Sequence, residues 1–341
     1  MEKRRRFLAS AGSLAVTGGL FGPVAAATPS RAVVSVPGPG NLLYLPLPLA
    51  SRIGADLAEG LELDIRFTGG GPQAIRAMLE RNSDFAAAGL SALALQKLNG
   101  KPVVCIAPMT RVPAYTLLVR AGLRGKVRQM ADLQGLVVGV KGHVPGGRST
   151  SQLFAEYLLA RAGLRPDQVN YVSAGQSYDS QHAALVSGAV DALVGDEPFV
   201  TRLVRQKVAF ALADFHDPET TRKQMGGLFL NGMIGTREDM VAGKPALVEK
   251  LVRTIKRTLV WVDTHSADEM VEALNPGQPE ERRALRDVLR LRKNIYSPDG
   301  RISDEQLRTV DRFLRATEPA IAAQGLSVRS LVDARWAGSA P

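Results

Sequence analysis

Short apolar runs and helix-spaced stretches alternate along most of this chain. Ala32-Val33-Val34-Ser35-Val36 is β-branched and is ended by Pro37-Gly38-Pro39-Gly40, so it reads as a strand. Leu42 to Leu57 reads as helical despite Pro46 and Pro48. Leu61 to Phe67 alternates apolar and polar, which predicts a half-exposed strand, and Gly69-Gly70-Gly71 turns it into a helix over 72–81. Further strands are expected at 84–88, 103–107 and 115–120, with a helix near 91–98. After Leu133-Gln134-Gly135 the pattern restarts. A buried strand at 136–140 leads through a glycine-rich loop, 141–148, into a helix over 149–162. Strands at 169–172, 190–194 and 210–213 follow, with helices at 182–186 and 198–206 between them. The last third is helical: Leu247, Val248, Leu251, Val252, Ile255, Leu259 and Val262 recur at three-and-four spacing between 245 and 265. Helices at 279–291, 303–317 and 328–336 complete it.

Strand–helix alternation of this kind predicts α/β lobes, each a mainly parallel sheet flanked by helices. The two halves also echo each other. Ala77 to Asp84 (AMLERNSD) aligns with Ala184 to Asp191 (ALVSGAVD), and in both a helix ends and a strand opens on an Asp. Gly60-Leu61 and Gly163-Leu164 stand upstream in matching places. One strand–helix unit used once per lobe produces such a repeat.

Length and composition fit this picture. The 341 residues suggest about two domains. With 45% hydrophobic and 22% charged residues the chain is ordinary globular material, and wholesale disorder is excluded. The single Cys105 lies in an apolar run, reads as a buried small hydrophobe, and excludes an internal disulfide or a cysteine-built metal site. The net charge is +10. Its basic residues are dispersed beyond the N-terminus, which argues for solubility and a mild attraction for anions rather than nucleic-acid binding.

The N-terminus reads as a targeting segment over residues 1–27. Lys3-Arg4-Arg5-Arg6 is followed by a mildly apolar stretch and by Ala25-Ala26-Ala27, a small-residue cleavage site. Arg4-Arg5-Arg6-Phe7-Leu8 resembles a twin-arginine export signal. Lys3 and Ala9 depart from that pattern, so the general secretory route stays open. Cleavage would leave a chain of +7, expected to be soluble.

Three loops offer chemistry. Gly69 to Ala74 formally matches a dinucleotide fingerprint, but no acidic residue ends the next strand, and Pro72 fits simply as a first helical residue. The loop ending in Arg148-Ser149-Thr150 joins a buried strand to a helix, where free backbone N–H groups and hydroxyls suit an anion or serve as an ordinary cap. Gly195-Asp196-Glu197-Pro198 places two carboxylates at a strand end, to accept from a ligand amine, to perform acid–base chemistry, or to cap the following helix. The four histidines show no ligand spacing and no nucleophile motif is present, so neither metal nor cofactor is expected.

With Leu45 to Ala50, Gly60 to Leu63, Gly69 to Gly71, Leu133 to Val140, Ala162 to Val169 and Ala184 to Pro198 in this order, the chain resembles the periplasmic solute-binding proteins of ABC importers for sulfonates, taurine, nitrate and thiamine-pyrimidine precursors. The resemblance covers roughly residues 31–265. It implies a type II periplasmic-binding fold, with lobe one at 31–112 plus 236–337 and lobe two at 113–235. It implies a ligand held between the lobes by Asn41, Tyr44, Gly71 and Ser91 from one side and Arg148, Ser149, Thr150, Tyr178, Asp196 and Glu197 from the other. The implied protein is a periplasmic monomer, not an enzyme, that closes by hinge bending on a small anionic or zwitterionic solute and delivers it to a membrane permease. A receptor reporting to a membrane kinase and a pyrimidine-synthesising enzyme on the same fold are the alternatives. Asp196 stands where many relatives carry Trp, which leaves the ligand open.

Overall fold

The computed structural model describes residues 28–141 and 148–338. The expected targeting segment and the loop residues 142–147 lie outside them. Among the described residues, ten strands form two five-stranded mixed sheets. Strands β1 (Ser30–Val36), β2 (Leu61–Phe67), β3 (Phe85–Gly89) and β4 (Val103–Pro108) build the first. Strands β5 (Thr116–Arg120), β6 (Val137–Val140), β7 (Asn170–Ser173), β8 (Ala192–Gly195) and β9 (Ala209–Asp214) build the second. Then β10 (Gly232–Arg237) returns to the first sheet. The orders are β2-β1-β3-β10-β4 and β7-β6-β8-β5-β9.

These orders correspond strand for strand. The first three strands of each are parallel, and the fourth, β10 or β5, runs antiparallel to both of its neighbours. Each fourth strand is the one that arrives from the other sheet, and each carries a register shift against its outer partner, at Ile234/Gly235 and at Leu117/Leu118.

The echo read from the sequence has a physical cause here. Val33 N–H donates to the Asp84 carboxylate at 3.0 Å while Asp84 N–H donates to the Val33 carbonyl at 2.9 Å. In the second sheet Val137 N–H donates to the Asp191 carboxylate at 3.1 Å and Asp191 N–H to the Val137 carbonyl at 2.9 Å. Each Asp thus fixes the register at which a new strand joins β1 or β6.

Most predicted elements stand within a residue or two of their expected bounds; helices Pro218–Met225, Glu238–Gly243, Ala267–Leu274 and Pro319–Ala323 are additional to those expected, and there are four further differences. The expected helix 42–57 is broken into a turn Leu42–Tyr44, a helix Pro46–Arg52 and a short helix Ala55–Ala58. Pro46 opens the second of these, where a missing N–H leaves nothing unpaired, and Gly54 adopts φ 69° between the last two. The helix expected at 182–186 starts at Tyr178, because Ser177 caps it through Ser180 N–H at 3.2 Å. The expected helix 328–336 is two short ones, separated where Val332 bridges to Cys105 of β4. Strand β10 was not expected at all; two glycines in its six residues hide its periodicity.

The chain passes between the sheets twice, after β4 and after β9. At the second crossing the His216 ring Nδ1 lies 2.8 Å from an Asp214 carboxylate oxygen and 3.3 Å from Thr116 Oγ1, and Arg292 reaches Asp214 at 2.7 Å. Burial raises the Asp214 pKa, but the hydrogen bond and charge of His216 and the charge of Arg292 outweigh it and hold the carboxyl below the usual range. The C-terminal helices then lie against the first sheet and against the helix Thr150–Arg161 of the second half. Helix Pro245–Thr264 buries Val248, Leu251, Ile255 and Leu259. From helix Asp304–Thr317, Phe313 packs its ring 5.0 Å from Tyr157 and 5.1 Å from Phe229. One hydrophobic core therefore runs from β1 through to the helix Thr150–Arg161. Among the described residues no helix is long and apolar enough to cross a membrane.

Candidate functional site

The carboxyl ends of the parallel strands of both sheets meet at one small cavity. Pro37 follows β1, Gly89 ends β3, Lys141 follows β6 and Asp196 follows β8, and all four line it. Loops at these strand ends are where open α/β sheets present free backbone donors.

From the first sheet, Asn41 caps the turn Leu42–Tyr44, its Oδ1 accepting from Leu43 N–H at 2.9 Å. This leaves Nδ2 free to donate across the cleft to Asp196 at 2.7 Å. Tyr44 lies behind it. Burial, the neighbouring Tyr115 and the charge of Asp196 push its phenol well above the usual tyrosine range. Gly71 opens the helix Gly71–Leu79, and Gly89 precedes the helix Leu90–Leu98.

From the second sheet, Ser149 caps the helix Thr150–Arg161 by accepting from Gln152 N–H at 3.3 Å, and its Oγ lies 2.9 Å from Ser151 Oγ. Ser151 Oγ in turn accepts from Lys141 N–H at 3.0 Å, tying the helix start to the end of β6. Thr150 Oγ1 accepts from Ala92 N–H at 3.3 Å, so a side chain of one sheet's helix caps a helix of the other. Gly89 permits this approach: a Cβ there would fall 2.0 Å from Thr150 Oγ1. Lys141 Nζ reaches both oxygens of Asp196, at 2.7 and 2.6 Å. Both side chains are buried, 7% and 2% exposed.

The N-termini of the helices opening at Gly71 and Thr150 thus border a space of about 30 Å³, room for one or two water-sized atoms as it stands. Their free N–H groups and dipoles favour acceptor atoms or negative charge. Asp196 offers the opposite, an acceptor for a donor.

Of the ten residues expected here, Asn41, Tyr44, Gly71, Ser149, Thr150 and Asp196 line the cavity. The other four do not. Ser91 is fully buried beside lining Ala92, its hydroxyl without a hydrogen-bond partner. Arg148 turns to Glu156 at 2.8 Å and to Glu318, and borders a separate cavity of about 150 Å³ with Pro72 and Asn99. Tyr178 bonds Gln206 through its hydroxyl, with Arg202 3.7 Å from its ring centroid, and lines an open recess of about 500 Å³ with Pro39, Gln176 and Phe199. Glu197 caps the helix Phe199–Arg205, accepting from Thr201 N–H at 3.0 Å and Thr201 Oγ1 at 2.7 Å, so the capping alternative describes it. Sequence reasoning passed over Lys141, Tyr115 and Gln176. Lys141 could have been found, since a lysine directly after a strand buried on both faces has to find a counter-charge.

Two mixed sheets of matching order, exchanging their fourth strands and enclosing a polar cleft at their carboxyl ends, define a periplasmic-binding-protein fold. Solved structures of that fold agree. A protein of Bordetella bronchiseptica RB50 matches with a TM-score of 0.80 at 24% identity, over 90% of this chain and 96% of that one. The alkanesulfonate-binding protein SsuA from Xanthomonas axonopodis pv. citri, bound to MOPS, matches with a TM-score of 0.68 at 18% identity, over 90% of this chain and 99% of its own. In sequence, a putative binding protein, YtlA of Bacillus subtilis, is 21% identical over 69% of this chain and 67% of its own. The chain belongs to the NMT1/THI5-like family, whose model matches residues 57–268.

Proposed function

We propose that this protein captures a small solute between two lobes and hands it to the membrane permease of an ABC importer. The observation that carries this reading is the cavity itself, lined from one sheet by Asn41, Tyr44 and Gly71 and from the other by Lys141, Ser149, Thr150 and Asp196. Interlobe clefts with a few convergent polar groups are favoured ligand sites. The lobes are residues 31–112 plus 236–337, and 113–235, with the whole of β10 (Gly232–Arg237) counted to the first because it joins the first sheet. They part and close by bending at the two crossings, which a space of 30 Å³ requires of any organic solute. Residues 1–27 direct export to the periplasm, by the twin-arginine route if Arg4-Arg5 are its recognition pair. The solute class is that of the sulfonate, taurine and nitrate binders. No bond is made or broken. Cys105 is fully buried and its thiol pKa is pushed up, the opposite of a nucleophile's surroundings.

Native mass spectrometry of the freshly purified protein tests this directly: a co-purified small solute is expected, released on denaturation. A hundredfold excess of ligand over its dissociation constant adds about 2.7 kcal/mol to stability. Thermal unfolding should then rise with alkanesulfonates or taurine, and small-angle scattering should show a smaller radius. A protein that carries no solute and answers to none of these contradicts the reading.

A further inference from the structure

Lys141 and Asp196 are the two charged side chains among the described residues lining the cleft, and they are bonded to each other. The pair is closed on its own: Asp196 takes Lys141 Nζ on both oxygens and Asn41 Nδ2 on one. The described lining therefore carries no net charge. We propose that Asp196 makes the cleft select on charge, admitting compact zwitterions and rejecting bare anions of the same size. This rests on the reading of the cleft as a solute site and narrows its substrate class.

A bare anion entering here would find the one lysine already neutralised and would sit beside the buried carboxylate of Asp196. In a poorly solvated site like charges at such range repel strongly. Only the helix N-termini, as partial charges, would remain to hold it. A zwitterion satisfies both sides: its ammonium replaces or joins Asn41 on Asp196, and its anionic end faces the helix N-termini at Gly71 and Thr150 together with the ammonium of Lys141. Every buried charge then has an opposite neighbour, the condition under which burial is tolerated. Specificity of this kind is a rejection as much as an attraction.

Matched probes that differ by one ammonium test it: ethanesulfonate against taurine, and propionate against β-alanine, by calorimetry at pH 7 on the purified protein. The wild type should bind each zwitterion at least tenfold more tightly than its partner anion. D196N should weaken the zwitterion tenfold or more and strengthen ethanesulfonate by a similar factor. The double variant D196N/K141Q keeps the lining uncharged and should preserve the fold, checked by circular dichroism, while bringing taurine and ethanesulfonate within threefold of each other. Equal discrimination in wild type and both variants overturns the charge rule alone. A wild type that prefers ethanesulfonate overturns it too. Four probes that bind to no variant overturn the rule together with the solute reading beneath it.

Discussion

The two sheets share a scaffold and differ in the walls they turn toward each other. In both, an Asp bonds to the central parallel strand, β1 or β6, a fourth strand arrives from the opposite sheet, and the outer partner slips register. The first sheet faces the cleft with Asn41, Tyr44 and the uncharged starts of two helices, while the second brings Lys141, Asp196 and the hydroxyls of Tyr115, Ser149, Thr150 and Ser151. The residue after the fourth strand's core also diverges. Arg120 pairs with Asp191 at 2.9 Å, whereas Arg237 donates to the Met78 carbonyl at 2.6 Å at the end of the Gly71–Leu79 helix. Repetition was kept where backbone register depends on it. It was lost where only side-chain chemistry is at stake, which is why the halves match in order but not in charge.

The comparison is broken most severely where the halves join. Phe313 packs against Tyr157 on one side and Phe229 on another, and truncating a buried Phe costs about 3–5 kcal/mol. F313A should lower the urea midpoint accordingly. If the continuous core couples the halves, unfolding should stay a single transition by fluorescence and far-ultraviolet dichroism. Two separate transitions in the wild type would show the halves to be independent.

Next come the matched aspartates. D191A leaves the Val137 N–H without its carboxylate and frees Arg120, for a loss of about 1.5–3 kcal/mol. D84A removes the equivalent backbone bond without a strong guanidinium partner and should cost roughly 0.5 kcal/mol less. Equal costs would mean the Arg120 pair contributes nothing; a near-zero cost for either would deny it the register role.

The walls are probed by S149A and E197Q. Ser149 caps its helix, so alanine should cost about 1 kcal/mol of stability. If its hydroxyl also reaches the solute's anionic end, affinity should fall about tenfold or more. E197Q should leave affinity within twofold, because that carboxylate is engaged by Thr201; a larger change would return Glu197 to the binding site.

The smallest expected effect is on acid stability. Asp214 has a lowered folded-state pKa, so its contribution is complete above the unfolded carboxylate range and is lost as pH falls through the folded value. R292A removes one of the charges lowering it. The acid-unfolding midpoint should therefore move to higher pH, with little change at pH 7 beyond the lost ion pair. An unmoved midpoint would assign the lowering to His216 alone.

Local patterning was sufficient for much of the molecule. Alternation at Leu61–Phe67 and helical spacing at Pro245–Thr264 each match an element as built, because a strand's period of two and a helix's of 3.6 are set by backbone geometry within the segment itself. The paired Asp84 and Asp191 were visible for the same reason: each sits at a helix-to-strand turn, a local event. Of the six cleft residues, Ser149, Thr150 and Asp196 were legible in loops that follow a strand, while Asn41, Tyr44 and Gly71 came through the family resemblance. What the sequence could not decide was which partner each polar group would find. Strand β10 belongs to the first sheet only because the chain crosses back. Arg148 is drawn to Glu318, 170 positions away, and Asp196 to Asn41, 155 away. Glu197, one residue on from Asp196, points instead into its own helix start. Adjacent carboxylates look alike in a sequence. Only packing, which desolvates each and fixes what lies within 3 Å, makes one a counter-ion in the cleft and the other a cap.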